Sequence, residues 1–188
     1  MADVHGQLRV AHSELILGGQ RSGKSRRAES LAMAWLAQST DHRAVFIATA
    51  QAWDEEMRER IAQHQRDRAE RLPRMVTVEE PLQLAEAIAR HSLADTLVVV
   101  DCLTLWLTNV LMPGRRAPRT PILSDTIQAT PGPVILVSNE IGLGVIPLGA
   151  EVRAFVDALG RLNQDVAQAC ERVTLMAAGL PLTLKDTE

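Results

Sequence analysis

The sequence is poor in aromatic residues and carries little net charge, and both shortages exclude classes of partner. It has no tyrosine, its aromatic share is 3%, and its net charge is -3 over 188 residues. Stacking of nucleic-acid bases needs aromatic side chains, and binding to nucleic acid or to an anionic membrane needs a basic surface. We therefore expect no nucleic-acid partner and no attraction to membranes.

Cysteine is scarce, and long apolar runs are missing. Cys102 and Cys170 lie far apart and fit neither a CxxC pair nor a disulfide framework, so we interpret them as buried thiols in a reducing compartment. Residues 1–12 are polar and lack the apolar core of a signal peptide. The most apolar stretch, residues 97–112, contains Asp101 and other polar residues, so it is not a membrane span. We predict a cytoplasmic protein.

Lysine occurs only at positions 24 and 185, and Lys24 belongs to a phosphate-binding motif. Residues 18–25 read G-x-x-x-x-G-K-S, after an apolar run at 15–17 and before a helix-like segment at 26–38. A strand, a glycine-rich turn and a helix are the context in which backbone N–H groups surround phosphate oxygens. The alternative is a glycine turn before an ordinary helix. The motif predicts these nucleotide-binding residues, with Lys24 also catalytic and Ser25 also a magnesium ligand: Gly18, Gly19, Gln20, Arg21, Ser22, Gly23, Lys24 and Ser25.

The remaining apolar runs predict a single α/β domain over residues 1–188, with residues 1–13 as a loose leader. Continuous apolar strands alternate with helices, which indicates a phosphate-loop-NTPase-like, mostly parallel sheet with helices on both faces. Proline and glycine punctuate residues 113–133, so we expect a loop there with at most one short helix. After Gly179 we expect a short tail. The predicted strands are near 15–17, 44–48, 75–78, 97–100, 134–137 and 173–177.

Asp101 directly follows the strongest predicted strand. In phosphate-loop enzymes an acidic residue at this place holds Mg²⁺ or its water beside the loop serine. The alternative is that Asp101 caps the helix that begins near Leu103. Because the phosphate loop lies upstream, we favour the magnesium role, with Ser25 and Asp101 as the predicted ligands.

His64 shares a predicted helix face with Met57 and Ile61, on a helix that Asp54 can cap. A histidine in that setting is most often a packed core residue. Here arginines flank it at positions 60, 66, 68 and 71, and such a cationic setting suits a triphosphate. A neutral imidazole can attack phosphorus, so His64 is also a candidate nucleophile.

Three glutamates, Glu79, Glu80 and Glu140, lie at or near predicted strand ends. Ligands bind at such ends in open α/β sheets, but each glutamate can equally be a helix-start carboxylate. The N-K-x-D pattern that specifies guanine in regulatory GTPases is absent, which weakens the interpretation as a switch protein.

Taken together, these residues resemble the bifunctional adenosylcobinamide kinase / adenosylcobinamide-phosphate guanylyltransferase family of cobalamin biosynthesis. The resemblance spans nearly the whole chain and is far more specific than the phosphate loop alone. Its matching segments are residues 18–26, 28–29, 47–50, 54–57, 60–61, 64, 101–104, 107–109, 138–142, 144, 147 and 160–164.

The resemblance implies two reactions on one nucleotide site. A triphosphate, ATP or GTP, phosphorylates the aminopropanol hydroxyl of adenosylcobinamide; GTP then places GMP on a histidine, matched by His64, and the GMP passes to adenosylcobinamide phosphate. It also implies a homotrimer, small-molecule substrates and Mg²⁺. Beyond the phosphate loop, the nucleotide-binding residues that it implies are Thr49, Ala50, Gln51, Gln65, Arg66, Asp67, Arg68, Glu79 and Asp101.

Two features depart from the family pattern, and two other functions stay open. The segment between Asn109 and Val134 is shorter and richer in proline and arginine than the family pattern, which has a helix there. Gln63 precedes His64, where some members have a second histidine. The alternatives are a kinase with one activity for another small metabolite, and a nucleotide-dependent regulatory module.

Overall fold

The structure is a computed structural model that describes residues 8–52, 55–111 and 120–187. The side chains of His64, Asp67 and several neighbours on the same helix lie outside the described residues, as does the predicted cap Asp54. In chain order the elements are β1 Ser13–Gly18, α1 Lys24–Gln38, β2 Arg43–Ala48, α2 Glu55–Arg71, β3 Met75–Glu79, α3 Leu84–His91, β4 Thr96–Asp101, α4 Leu103–Val110, α5 Thr120–Ala129, β5 Val134–Val137, α6 Ala150–Ala169, β6 Arg172–Ala177 and β7 Leu180–Asp186.

The strands form one seven-stranded sheet in the order β3-β2-β4-β5-β1-β6-β7. β1 to β6 pair in parallel, and β7 alone pairs antiparallel, with β6. The carboxyl ends of the six parallel strands therefore meet at one edge of the sheet. This confirms the predicted α/β fold with a mostly parallel sheet.

Helices cover both faces of the sheet because the strands are apolar on both faces. Leu15 and Leu17 of β1 pack in a cluster with α3, α4, α5 and α6, whereas Ile16 between them packs with α1 on the opposite face. In β4, Val98 packs in the same cluster as Leu15 and Leu17, and Val99 packs in the same cluster as Ile16. All five side chains are at most 8% exposed, as expected for a strand that is buried on both sides.

The short tail predicted after Gly179 is wrong, because residues 180–186 form strand β7. Ala178 and Gly179 have positive φ angles of 51° and 80°, and they make a tight turn between β6 and β7. Leucines at positions 180, 182 and 184 alternate with other residues, and this period-2 pattern was the available strand signal. The sequence interpretation overlooked it because a solvent-exposed strand at the sheet edge lacks the continuous apolar run by which the other strands were predicted.

The segment after α4 matches its prediction in the part that is described. One helix, α5, spans ten residues from Thr120 to Ala129, and residues 112–119 lie outside the described residues. Two residues of the predicted leader contact the fold: Arg9 Nη2 lies 2.9 Å from Asp186 Oδ1 of β7, and the His12 N–H donates to Glu171 Oε2 over 3.1 Å. Among the described helices, none is both long enough and apolar enough to cross a membrane.

Candidate functional site

The phosphate loop joins β1 to α1, and its shape depends on glycine. Gly18 and Gly23 have φ angles of 151° and 101°, in the region that side chains disfavour. A Cβ atom at Gly18 would lie 2.5 Å from the Met176 carbonyl oxygen and 2.6 Å from Ser22 Oγ. Both glycines are therefore required where the chain turns sharply beside β6.

The turn between β6 and β7 supports this loop from one side. The Gly179 N–H donates to the Ser22 carbonyl oxygen over 3.0 Å, and a Cβ at Gly23 would lie 3.3 Å from Gly179 Cα. Ser22 Oγ is buried and has no hydrogen-bond partner among the described residues. Sequence reasoning missed this contribution of Gly179, because only the folded hairpin brings it to the loop.

Lys24 begins α1 and lies across the loop. Its Nζ atom donates to the Gly19 carbonyl oxygen over 2.6 Å, and the side chain is 8% exposed. Burial lowers the pKa of Lys24, while the nearby Asp101 carboxylate opposes that shift. A cation that is partly withdrawn from water interacts more strongly with an anion, so Lys24 is well placed to act on phosphate.

Ser25 and Asp101 meet at the carboxyl edge of the sheet, although 76 residues separate them. Ser25 Oγ donates to Asp101 Oδ2 over 2.6 Å. The N-cap residue of α4 is Cys102, and Asp101 is the last residue of β4, so the structure does not support the alternative that Asp101 caps this helix. Hydroxyl and carboxylate oxygens are hard ligands that suit Mg²⁺ together with substrate phosphates. The described residues hold no cluster of three or more His, Cys, Asp or Glu that could bind a metal by itself.

Thr49 fixes the strand ends around Asp101. It is fully buried; its Oγ1 donates to the Cys102 carbonyl oxygen over 2.7 Å and accepts from the Cys102 N–H over 2.8 Å. Asn109 Nδ2 donates to the carbonyl oxygens of Thr49, over 2.7 Å, and of Pro81. Thr49 thus positions its neighbours, and its predicted contact with nucleotide stays a prediction.

A cavity of about 470 Å³ lies at the carboxyl ends of β2 and β3. Gln65 of α2 reaches it and donates from Nε2 to Glu79 Oε1 over 3.1 Å. The structure therefore brings together four predicted residues, Ala50, Gln51, Gln65 and Glu79. Sequence reasoning missed the other lining residues, which share no motif and meet only in the fold: Ala52, Arg58, Ala62 and Pro81.

The predicted residues of α2 fall into different environments. Arg66 is exposed and donates to Gln63 Oε1 over 2.8 Å. Arg68 is 6% exposed, with its Cζ atom 3.6 Å from the centroid of the Phe46 ring. Burial lowers the pKa of Arg68, and the carboxylates of Glu29 and Asp101 oppose that shift. His64 and Asp67 belong to α2, but their side chains lie outside the described residues.

The structure separates the three glutamates that the sequence left open. Glu80 Oε1 accepts from the N–H groups of Leu82 and Gln83 over 2.9 and 2.8 Å, just before α3. Glu140 Oε1 accepts from the Gly142 N–H over 2.7 Å. Glu80 therefore acts as a helix-start carboxylate and Glu140 as a turn carboxylate, while Glu79 lines the cavity.

Both cysteines are buried and unpaired. Burial raises the pKa of the Cys102 thiol and of the Cys170 thiol to about 12. A protonated, buried thiol is a poor nucleophile, so neither residue is a candidate for covalent catalysis.

Comparison with known families agrees with this geometry. The family model described as cobinamide kinase / cobinamide phosphate guanyltransferase matches residues 14–184. The chain belongs to this family. The match begins in β1 and ends in β7, so it includes the phosphate loop, the cavity and Asp101, and it confirms the resemblance that the sequence motifs indicated.

Curated relatives support the same assignment. The chain is 51% identical over 176 residues to the bifunctional adenosylcobalamin biosynthesis protein CobP of Pseudomonas aeruginosa, covering 92% of this chain and 96% of the relative. It is 33% identical over 187 residues to the CobU proteins of Escherichia coli and of Salmonella typhimurium, covering 91% of this chain and 98% of each relative.

A solved structure shares the fold at low sequence identity. The flagellar accessory protein FlaH from Methanocaldococcus jannaschii superposes with a TM-score of 0.55 at 11% identity, covering 94% of this chain and 80% of FlaH. This similarity concerns the arrangement of sheet and helices alone.

Proposed function

We propose that this transferase phosphorylates adenosylcobinamide with ATP or GTP and then transfers GMP from GTP to adenosylcobinamide phosphate, giving adenosylcobinamide-GDP. The observation that carries the proposal is the 2.6 Å contact between Ser25 and Asp101 beside the Lys24 loop, on the sheet edge that also holds the cavity. Membership of the family supplies the substrate class.

In the kinase step, the acceptor hydroxyl oxygen forms a bond to the γ-phosphorus. The bond from that phosphorus to the diphosphate breaks, so the diphosphate leaves, and the hydroxyl proton is released to solvent. Such transfer depends on position and on charge neutralisation more than on covalent help. Lys24 and the N–H groups of the loop supply positive charge where the triphosphate binds. Ser25 and Asp101 would hold Mg²⁺, which neutralises phosphate charge when it is bound.

In the guanylyl step, we assign the nucleophile to His64. An imidazole nitrogen bonds to the α-phosphorus of GTP, and pyrophosphate leaves. A phosphate oxygen of adenosylcobinamide phosphate then attacks the same phosphorus, and the phosphorus–nitrogen bond breaks, which regenerates the imidazole. The support is positional: His64 directly precedes Gln65, which lines the cavity with Gln51 and Glu79.

Labelled GTP tests whether His64 is the residue that accepts GMP. Incubation of the protein with GTP labelled at the α-phosphate should leave a protein-bound label that is labile in acid and stable in alkali, as expected for a phosphoramidate. His64→Ala should remove it, whereas His91→Ala, at the end of α3, should keep it. If His64→Ala were labelled as strongly as the parent, His64 would not be the nucleophile.

Product mass separates the competing functions. With GTP and adenosylcobinamide, the parent should form both adenosylcobinamide phosphate and adenosylcobinamide-GDP. A kinase with one activity would stop at the phosphate, and a regulatory module would leave adenosylcobinamide unchanged.

We also propose that the protein works in the cytoplasm as a homotrimer on small-molecule substrates. The motifs shared with the family support the trimer. Sedimentation velocity at micromolar concentration should give a species of three times the 20.6 kDa chain mass, and a monomer under all conditions would contradict it.

A further inference from the structure

The segment that follows β5 exposes an unusual amount of apolar surface. We call residues 141–148 the apolar segment. Leu143, Val145 and Leu148 are 82%, 96% and 98% exposed, and Ile146 is 77% exposed. Apolar side chains that stay in water forgo the free energy of burial, and a contiguous exposed group of them marks a binding surface.

Polar contacts hold the backbone of the apolar segment at both ends. The Glu140 N–H donates to the Gly18 carbonyl oxygen over 3.1 Å, and the Glu140 carboxylate accepts from the Gly142 N–H. At the other end, Arg153 Nη1 donates to the carbonyl oxygens of Pro147 and Leu148. The segment is therefore tied to β1 and to α6 by its main chain, while its apolar side chains remain in solvent.

The apolar segment starts beside the phosphate loop. β5 lies between β4, which ends at Asp101, and β1, which ends at Gly18. The cavity lies on the other side of β4, at the ends of β2 and β3. An acceptor that approaches the phosphates from the β5 side thus meets this segment and leaves the cavity to the nucleotide.

We propose that the apolar segment binds the corrin ring of the acceptor. This inference rests on the proposed function, because it takes the corrinoid substrate from there. The corrin macrocycle is broad and bears methyl groups and neutral amides, so it presents far more apolar surface than a nucleotide does. Residues 141–150 contain no charged side chain that could pair with phosphate. The site beside Gly18 therefore suits the ring, with its aminopropanol arm directed at the phosphate loop.

Polar substitutions at the two most exposed positions test the proposal. In Val145→Ser/Leu148→Ser we expect the KM for adenosylcobinamide, and its Kd in equilibrium dialysis without nucleotide, to rise about tenfold or more. The KM for ATP and the GMP label formed from GTP alone should stay unchanged. Leu148→Met, which keeps an apolar side chain, should retain the parental Kd.

The matched control is Val76→Ser/Leu93→Ser, which removes two apolar side chains that are 62% and 53% exposed, on edge strand β3 and just before β4. It should keep the parental Kd for adenosylcobinamide. A parental Kd and KM in Val145→Ser/Leu148→Ser would overturn the inference. It would also be overturned if this variant sedimented as a smaller species than the parent, because the segment would then join copies of the chain. If the parent itself fails to phosphorylate adenosylcobinamide, the proposed function falls instead.

Discussion

Arg71 Nη1 donates to Glu29 Oε2 over 2.7 Å, and this contact ties the last turn of α2 to the helix that follows the phosphate loop. One turn earlier, Arg68 lies over Phe46 of β2. The carboxyl-terminal end of α2 is therefore attached to both α1 and the sheet. We therefore predict that Glu29 is a positioning residue for the proposed guanylyl step, because α2 carries Gln65 and the candidate nucleophile His64. Glu29 itself is not among the residues that line the cavity.

Glu29→Gln should impair the guanylyl step selectively. Glu29 is 8% exposed, so loss of its charge weakens the attachment of α2 and leaves the phosphate loop on α1 in place. We expect GMP labelling by GTP to fall about tenfold, equivalent to roughly 1.4 kcal/mol, and the kinase rate to fall less. Labelling rate and kinase kcat are compared at saturating nucleotide.

Glu14→Gln is the control for Glu29→Gln. Glu14 lies in β1 and is 1% exposed. It pairs over 2.9 Å with Arg27 of α1, the helix that also carries Glu29, and this pair does not involve α2. This variant should lose stability without any preference for the guanylyl step. Equal losses of both activities in Glu29→Gln would argue against the positioning role.

Ser25→Ala and Asp101→Asn should interact in a double-mutant cycle. If both oxygens serve one Mg²⁺, each single variant lowers kinase kcat/KM about 10- to 100-fold and raises the Mg²⁺ concentration that is required. The double variant should then lose much less than the product of the two losses. Strictly multiplicative losses would show that the 2.6 Å contact has no shared catalytic role.

The two lysines allow a matched comparison. Lys24→Met should lower both activities at least 100-fold, because the buried cation of the phosphate loop is lost. Lys185 donates to carbonyl oxygens at the end of α6, including those of Ala167 and Gln168, so Lys185→Met should reduce stability and leave the KM for ATP unchanged. Thermal unfolding and steady-state kinetics measure both effects. A normal ATP turnover in Lys24→Met would remove it from the mechanism.

Neighbouring glycines should respond differently to alanine. Gly18→Ala places a Cβ 2.5 Å from the Met176 carbonyl oxygen at a φ of 151°, and we expect a loss of about 1–3 kcal/mol in the free energy of unfolding, with weaker ATP binding. A Cβ at Gly19 meets no atom of the described residues within 4 Å, so Gly19→Ala should unfold like the parent. Denaturant titration measures the free energy of unfolding of both variants. Equal values for Gly18→Ala and Gly19→Ala would contradict the predicted steric clash at position 18.

Alkaline pH should destabilise the protein through its thiols. Cys102 and Cys170 have their pKa raised by burial to about 12 from 9.0, so above pH 9 the unfolded chain loses protons that the folded chain keeps. The free energy of unfolding should fall as pH rises from 9 towards 12, by roughly 1.4 kcal/mol per unit and thiol at most. The lowered pKa of Lys24 acts in the opposite direction.

Urea titrations between pH 8 and 11 test this slope. The chain has no tyrosine and only two lysines, so few other groups ionise in that range. Cys102→Ala/Cys170→Ala should show a shallower decline than the parent, and identical slopes would show that the thiols do not contribute.

Short sequence patterns predicted the structure correctly where all the residues of a feature are close together in the chain. The phosphate loop, from Gly18 to Ser25, is one uninterrupted turn between a strand and a helix, so its residues could be named from the sequence. The parallel strands could be named as well, because burial on both faces requires continuous apolar runs. Strand β7 was not predicted, because an edge strand that is exposed to solvent needs no continuous apolar run.

The sequence by itself determined the α/β class, the phosphate loop and the family, because glycine conformations, apolar runs and motif spacing are properties of short segments. The motifs and the family resemblance already named Ser25, Asp101 and Glu79. Only the tertiary structure decided that Ser25 directly contacts Asp101, that Gly179 supports Ser22, and which other residues line the cavity with Glu79. The order of strands in the sheet sets those neighbours. That order follows from packing across the whole chain, and no single segment encodes it.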